Sequence, residues 1–153
     1  MKLIVLDSYA AVSTDLSLDC LKPYCDRMEV YERTPPELLA ARIGDAEAIL
    51  VNKTVITRSI MEQCPNLRYI GLFATGYNVV DIAAAKERGI VVSNAPSYST
   101  NAVAQLTFGL ILHFYCLIAS HDARVHAGEW TNCRDFCFYE EDPQWSGSTG
   151  CGA

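Results

Sequence analysis

The sequence predicts an α/β protein: a doubly wound parallel sheet followed by one long apolar helix. Three observations carry this prediction. Short apolar runs alternate with helix-period segments five times before residue 99, the pattern of strands joined by crossover helices. The runs are nearly continuous in apolar character, as in strands covered on both faces. From residue 99 onward the pattern gives way to a single stretch, 103–119, that is apolar almost all round.

Residues 2–6 are the first run, and Asp7-Ser8 gives it a polar edge. A short helix is expected over 15–21, with Asp15 as cap and Leu16, Cys20 and Leu21 sharing a face. Residues 28–31 form the second strand. Thr34-Pro35-Pro36-Glu37 reads as a helix start, with Thr34 and Glu37 spaced as a capping box and proline in the first turn. Leu38, Leu39, Ala41 and Ile43 follow, and Gly44 closes the helix. Residues 48–51 are the third strand and run into Asn52-Lys53-Thr54. Thr57 caps a helix reaching Cys64, where Pro65 ends it. Residues 67–73 are the fourth strand, broken by Gly76. A helix over 80–88 carries Ile82, Ala83 and Ala85 and closes at Gly89. Residues 90–92 are the fifth strand, stopped by Asn94-Ala95-Pro96. Thr100 or Asn101 then caps a long helix through Ser120. A polar helix continues from His121 and ends at Gly128. No regular period survives after Trp130. Five alternating pairs give the flavodoxin-like version of the doubly wound fold. The long helix needs cover from a second domain or subunit.

Half of the 153 residues are apolar and a fifth are charged, enough to build a core and too apolar for a disordered chain. A net charge of −6 and a pI near 4.9 repel phosphate backbones, so nucleic acid is not an expected partner. The seven cysteines are odd in number and follow no secretory leader, which predicts reduced, mostly buried thiols in a cytoplasmic protein. Four apolar residues before Asp7 are too few for a signal-peptide core. Gln105, Thr107 and His113 interrupt the apolar helix, which falls short of the ~20 residues that span a bilayer. No membrane partner is expected. Cys133 and Cys137, with His121 and His126 nearby, raise a metal site, but tight Cys-x-x-Cys pairs are absent and none is expected.

Ligands of doubly wound sheets sit at the carboxyl ends of the strands. Three polar loops meet that condition: Asp7-Ser8-Tyr9, Asn52-Lys53-Thr54 and Ala74-Thr75-Gly76-Tyr77-Asn78. The turn Ala74-Thr75-Gly76 lacks bulk, so its N–H groups can gather round an anion. The Thr75 hydroxyl adds a donor, and Lys53 adds a charge from the neighbouring strand end. A small carboxylate fits these parts. An ordinary strand-to-helix turn beside a solvated lysine accounts for them too. His113 reads as a core histidine, His121 and His126 as solvated ones, and Tyr77 and Tyr98 as cover. No G-x-G-x-x-G dinucleotide fingerprint occurs.

The ordered runs ATGYNVVD at 74–81, AAKERGIVV at 84–92, Asn94-Ala95-Pro96 and NAVAQLT at 101–107 together resemble the D-isomer-specific 2-hydroxyacid dehydrogenases. The glycerate dehydrogenase (hydroxypyruvate reductase) branch is the most similar, and the resemblance covers residues 1–144. It implies a flavodoxin-like substrate-binding domain at 1–99 and a crossing helix and dimerisation segment at 100–130. It implies the irregular start of an NAD-binding domain at 131–153, truncated before the Rossmann domain. It implies hydride transfer between NAD or NADP and a small 2-oxo acid such as hydroxypyruvate, in a homodimer. The implied substrate-binding residues are Asn52, Lys53, Ala74, Thr75 and Gly76. The implied cofactor-binding residues are Thr75 and Val103. The family's catalytic Arg, Glu and His come from the downstream half, so this chain holds none of them and is expected to be inactive alone. Residues 144–149 resemble a blurred linker, and Gln105 stands where many members have Glu. Two alternatives keep the fold and drop the chemistry. One is a cofactor-sensing corepressor. The other is a stand-alone flavodoxin-like domain, for which Asp7 alone makes a poor phosphoacceptor cluster.

Overall fold

The computed structural model describes residues 1–12, 16–135 and 137. The chain forms two compact units, Met1–Tyr98 and Ser99–Ala153. The first unit is a five-stranded parallel sheet: β1 (Lys2–Val5), β2 (Arg27–Val30), β3 (Ala48–Val51), β4 (Tyr69–Leu72) and β5 (Val91–Ser93). The spatial order is β2-β1-β3-β4-β5, the flavodoxin-like order expected from the sequence.

Side chains alternate across the sheet. Ile4, Ile49, Val51, Ile70 and Leu72 face one side and are buried with Leu39 and Ile43 of α1 (Leu39–Ile43), Met61 of α2 (Arg58–Gln63) and Ala84 and Ala85 of α3 (Ile82–Glu87). Neighbouring contacts run α1 to α2 to α3. Successive right-handed crossovers in one direction put helices on one face. On the other face Leu3, Val5 and Ala48 are buried, Leu50 and Tyr69 are partly covered, and Val91 is exposed. Gly71 lies on that face, where a Cβ would come within 2.5 Å of Leu50 Cδ2 and 3.0 Å of Tyr69 Cε1. The missing side chain leaves room for the Tyr69 ring, whose hydroxyl lies 2.5 Å from Ser93 Oγ.

Several helix ends differ from the sequence expectation. The first connection carries 3-10 turns at Ser8–Ala10 and Asp19–Tyr24, the second with Pro23 inside it. Proline supplies no N–H for a longer helix, and the expected cap Asp15 lies outside the described residues. Thr34 does not cap: its hydroxyl donates to Leu6 O at 2.7 Å, and Pro35 takes the N-cap position. The segment starts as a 3-10 turn at Pro36–Leu38 before α1. Thr57 does cap α2, its Oγ1 accepting the Ile60 N–H at 3.4 Å. Asp81 caps α3 by accepting the Ala84 N–H at 2.9 Å.

In the second unit α4 spans Thr100–Tyr115 and follows Ser99, which makes no side-chain cap bond. It stops short of Ser120 because Leu117 adopts a left-handed φ of +48°. α5 (Ile118–His126) leaves at a 60° bend, and α6 (Glu129–Asn132) follows Gly128 at φ +79°. No residue of α4 is buried within the chain, and Leu106 and Phe108 are each 66% exposed. His113 is exposed as well, edge-on to Phe114 at 5.7 Å, and is not a core histidine. No single described helix is long and apolar enough to cross a membrane. The bent pair of α4 and α5 meets that test only by summed length and composition.

Thiols also sit differently from expectation. Among the described residues six cysteines are free, and only Cys64 is buried. Cys20 lies in the surface 3-10 turn and Cys116 at the end of α4, so both are exposed. Burial pushes the Cys64 thiol above its ordinary pKa.

Candidate functional site

The carboxyl edge of the sheet carries two loops rich in backbone donors. The first follows β3. Its N–H groups at Asn52, Lys53 and Thr54 donate to the Asp7 carboxylate at 2.6, 2.6 and 2.7 Å, and the Thr54 hydroxyl adds a fourth bond at 2.8 Å. Three successive N–H groups around one anion form a backbone nest. Charge-assisted bonds of this length are the strong kind. Asp7 sits two residues beyond β1, so the bonds join the ends of adjacent strands. With its oxygens so engaged, Asp7 is a structural anion.

The second loop follows β4. Phe73 N–H donates to Val51 O at 2.9 Å and closes the strand. The loop after β5 then straps the turn from three sides. Ala95 N–H donates to Ala74 O at 3.0 Å, Thr75 Oγ1 donates to Ala95 O at 3.0 Å, and Asn94 Nδ2 donates to Thr75 O at 2.7 Å. Thr75 and Gly76 are exposed, and their backbone N–H groups meet no acceptor among the described residues. A Cβ on Gly76 would lie 3.3 Å from Asn78 Oδ1, so glycine keeps the turn narrow. A rigid exposed turn with unclaimed N–H groups can bind an anion.

The structure thus places Asn52 and Lys53 after β3 and Ala74, Thr75 and Gly76 after the neighbouring β4. Asn52 is buried and Lys53 exposed. Lys53 lines a cavity of about 700 Å³ with Asp7 and Arg33, and none of residues 74–76 lines it. Val103 lies in the first turn of α4, 60% exposed, its N–H donating to Ser99 O at 2.9 Å. Sequence reasoning named Asp7 as a loop residue but missed its partners. It also missed the Asn94-Ala95 strap and Arg33. The position of Asn94 directly after a strand was the one available signal.

Among the described residues no three His, Cys, Asp or Glu side chains converge as a metal site. Cys133 Sγ donates to Cys137 O at 3.2 Å. No described strand-to-helix turn carries the glycine spacing that cradles a dinucleotide pyrophosphate, and the sequence contains no G-x-G-x-x-G. Among the described residues none is placed to hold that part of a nicotinamide cofactor.

Residues 5–149 match the family described as D-isomer specific 2-hydroxyacid dehydrogenase, catalytic domain. A hydroxypyruvate reductase of Blautia hydrogenotrophica is 41% identical over 143 residues, covering 92% of this chain and 44% of its own length. A glycerate dehydrogenase of Methylorubrum extorquens is 35% identical over 111 residues, covering 72% of this chain and 35% of its own. Among solved structures, an NADPH-dependent glyoxylate/hydroxypyruvate reductase from Sinorhizobium meliloti, in complex with NADP and malonate, superposes with a TM-score of 0.61. It is 26% identical, and the match covers 90% of this chain and 41% of that one. The chain therefore spans less than half the length of these relatives.

Proposed function

Because this chain belongs to the D-isomer-specific 2-hydroxyacid dehydrogenase family, we propose that it supplies the carboxylate-holding part of an NAD(P)-dependent oxidoreductase. The substrates are small D-2-hydroxy acids and their 2-oxo partners, with glycerate and hydroxypyruvate foremost. One observation carries this reading: the strapped, exposed turn with unclaimed N–H groups at Thr75 and Gly76. A substrate carboxylate accepting those bonds is fixed at one end, which orients its 2-carbon for reaction. Ala74 sets the turn's entry. Asn52 and Lys53 act through their side chains, since their amides already serve Asp7. In the same reading Thr75 and Val103 are the residues that would contact a nicotinamide cofactor.

In this reading residues 1–99 are the substrate-binding domain, 100–130 the dimerisation segment and 131–153 the start of the NAD-binding domain. The exposed apolar residues of α4 support a homodimer. Calorimetric titration of D-glycerate at low ionic strength tests the binding role. Saturable binding that Gly76→Pro weakens, by deleting one N–H, is the expected outcome. Binding indifferent to Gly76→Pro, or none at all, contradicts it. Turnover of hydroxypyruvate with NADH or NADPH by this chain alone would overturn the division of labour, which assigns the proton donor elsewhere.

A further inference from the structure

The two unclaimed N–H groups belong to two successive peptide units, Ala74–Thr75 and Thr75–Gly76. Both units are trans. A trans peptide is planar, and its C=O and N–H point in opposite directions. Holding the carbonyl of a unit therefore aims its N–H. Ala95 N–H holds Ala74 O at 3.0 Å, and Asn94 Nδ2 holds Thr75 O at 2.7 Å. Both bonds come from the loop after β5, so both N–H groups are turned away from that loop. An amide whose carbonyl accepts a hydrogen bond is also polarised into a better donor.

The two grips differ in kind. The first runs from main chain to main chain, and its donor precedes Pro96, a place that favours extended backbone. The second rests on one side chain. Asn94 directly follows β5, whose Ser93 pairs with Gly71 of β4, and that register sets it beside the turn. The peptide it holds is also the one most able to rotate. Gly76 lies outside the left-handed region. Rotating the Thr75–Gly76 unit by about 180° carries Gly76 to positive φ, which glycine accepts readily. The next backbone anchor is the Ile56 N–H on Val79 O at 2.8 Å, and Tyr77 and Asn78 between are exposed. The rotated unit would show an anion a carbonyl oxygen in place of a donor.

We propose that Asn94 is the positioning residue of this turn: its side-chain amide locks the Thr75–Gly76 peptide and aims the Gly76 N–H at the substrate carboxylate. The ligand in this assignment rests on the carboxylate reading; the lock does not. Asn94 acts through the peptide, deciding whether the turn offers a donor or an acceptor.

Amide-resolved NMR of the whole chain reads the lock without ligand. In the wild type the Gly76 N–H residual dipolar coupling is that of a fixed vector. Asn94→Ala averages it, while the Thr75 value, held through Ala95, stays. Asn94→Leu keeps the bulk and removes the donor, and it gives the same result should alanine loosen the loop. Titration with D-glycerate at low salt reads the consequence. Asn94→Ala weakens binding by about tenfold, the loss of one well-aimed bond to a charged group. Gly76→Ala keeps the N–H and disfavours the rotated peptide, and its Cβ lies 3.3 Å from Oδ1 of the exposed Asn78. In that background Asn94→Ala has a much smaller effect, a dependence that a merely structural asparagine would not show. A Gly76 dipolar coupling unchanged in both Asn94 variants overturns the proposal. So does a glycerate affinity indifferent to them, and so does an equal loss in the two Gly76 backgrounds. Averaging at Gly76 in a chain that binds no glycerate supports the lock and counts against the carboxylate reading alone.

Discussion

The loop after β3 and the turn after β4 leave adjacent strands at the same edge of the sheet, and both offer backbone N–H groups. Their fates differ. Asn52, Lys53 and Thr54 give theirs to Asp7, a carboxylate from within the chain. Thr75 and Gly76 give theirs to nothing among the described residues, although three bonds from the next loop hold the turn in place. Donors at a strand end call for a negative partner. Where the chain supplies one, the loop is structural. Where it builds a rigid turn and supplies none, the place is open to a ligand, and that is the basis of the carboxylate role proposed for residues 74–76.

The most forceful way to break this contrast is Asp7→Ala. Removing a carboxylate that accepts four bonds, in a partly exposed position, is expected to cost about 2–4 kcal/mol. Urea denaturation measures the cost, and millimolar formate should restore part of it by re-entering the nest. A loss below ~0.5 kcal/mol would show that the nest contributes nothing to the fold. On the other side of the comparison, Thr75→Val removes the bond to Ala95 O and is expected to cost about 1 kcal/mol. It should also weaken D-glycerate binding, since the turn loses part of its strap.

The caps downstream of each loop sharpen the contrast. Thr57→Ala and Asp81→Ala each remove one N-cap bond and should each cost about 1 kcal/mol in thermal or urea melts. Equal costs would confine the difference between the two regions to 52–54 and 75–76. The smallest effect lies outside both loops and serves as a baseline. Burial raises the Cys64 pKa above its unfolded value, so the neutral thiol favours the folded state. That stabilisation is complete below the ordinary thiol range and is lost as pH rises through the folded value. Stability should therefore decline at alkaline pH, and Cys64→Ala should flatten the decline without affecting either loop.

Much of the sheet was legible because it rests on local patterns. The strand runs and the Thr57 cap follow from apolar continuity and residue chemistry, and the observed strands fall within two residues of their expected ends. Features set by distant partners were not legible. Asp7 finds Asn52 across 45 residues of sequence. Thr34 satisfied the spacing of a capping box, yet its hydroxyl turns back to Leu6, 28 residues away, after Pro35 takes the cap position. The break at Leu117 escaped for a different reason: leucine carries no signal for a left-handed φ. The apolar continuity of α4 called for cover from a second domain or subunit, and within this chain the helix is exposed along its length. Periodicity reports that a surface seeks cover without saying what covers it. Of the candidate site, the loops themselves were visible as polar strand ends. Which N–H groups would be left unclaimed depended on tertiary contacts.

An amide-resolved NMR titration of the chain with D-glycerate tests the contrast most directly. The account predicts saturable shifts at the Thr75 and Gly76 amides while those of Asn52, Lys53 and Thr54 stay in place, held by Asp7. Saturable shifts at 52–54 with none at 75 and 76 would contradict it, as would a titration that leaves both loops unmoved.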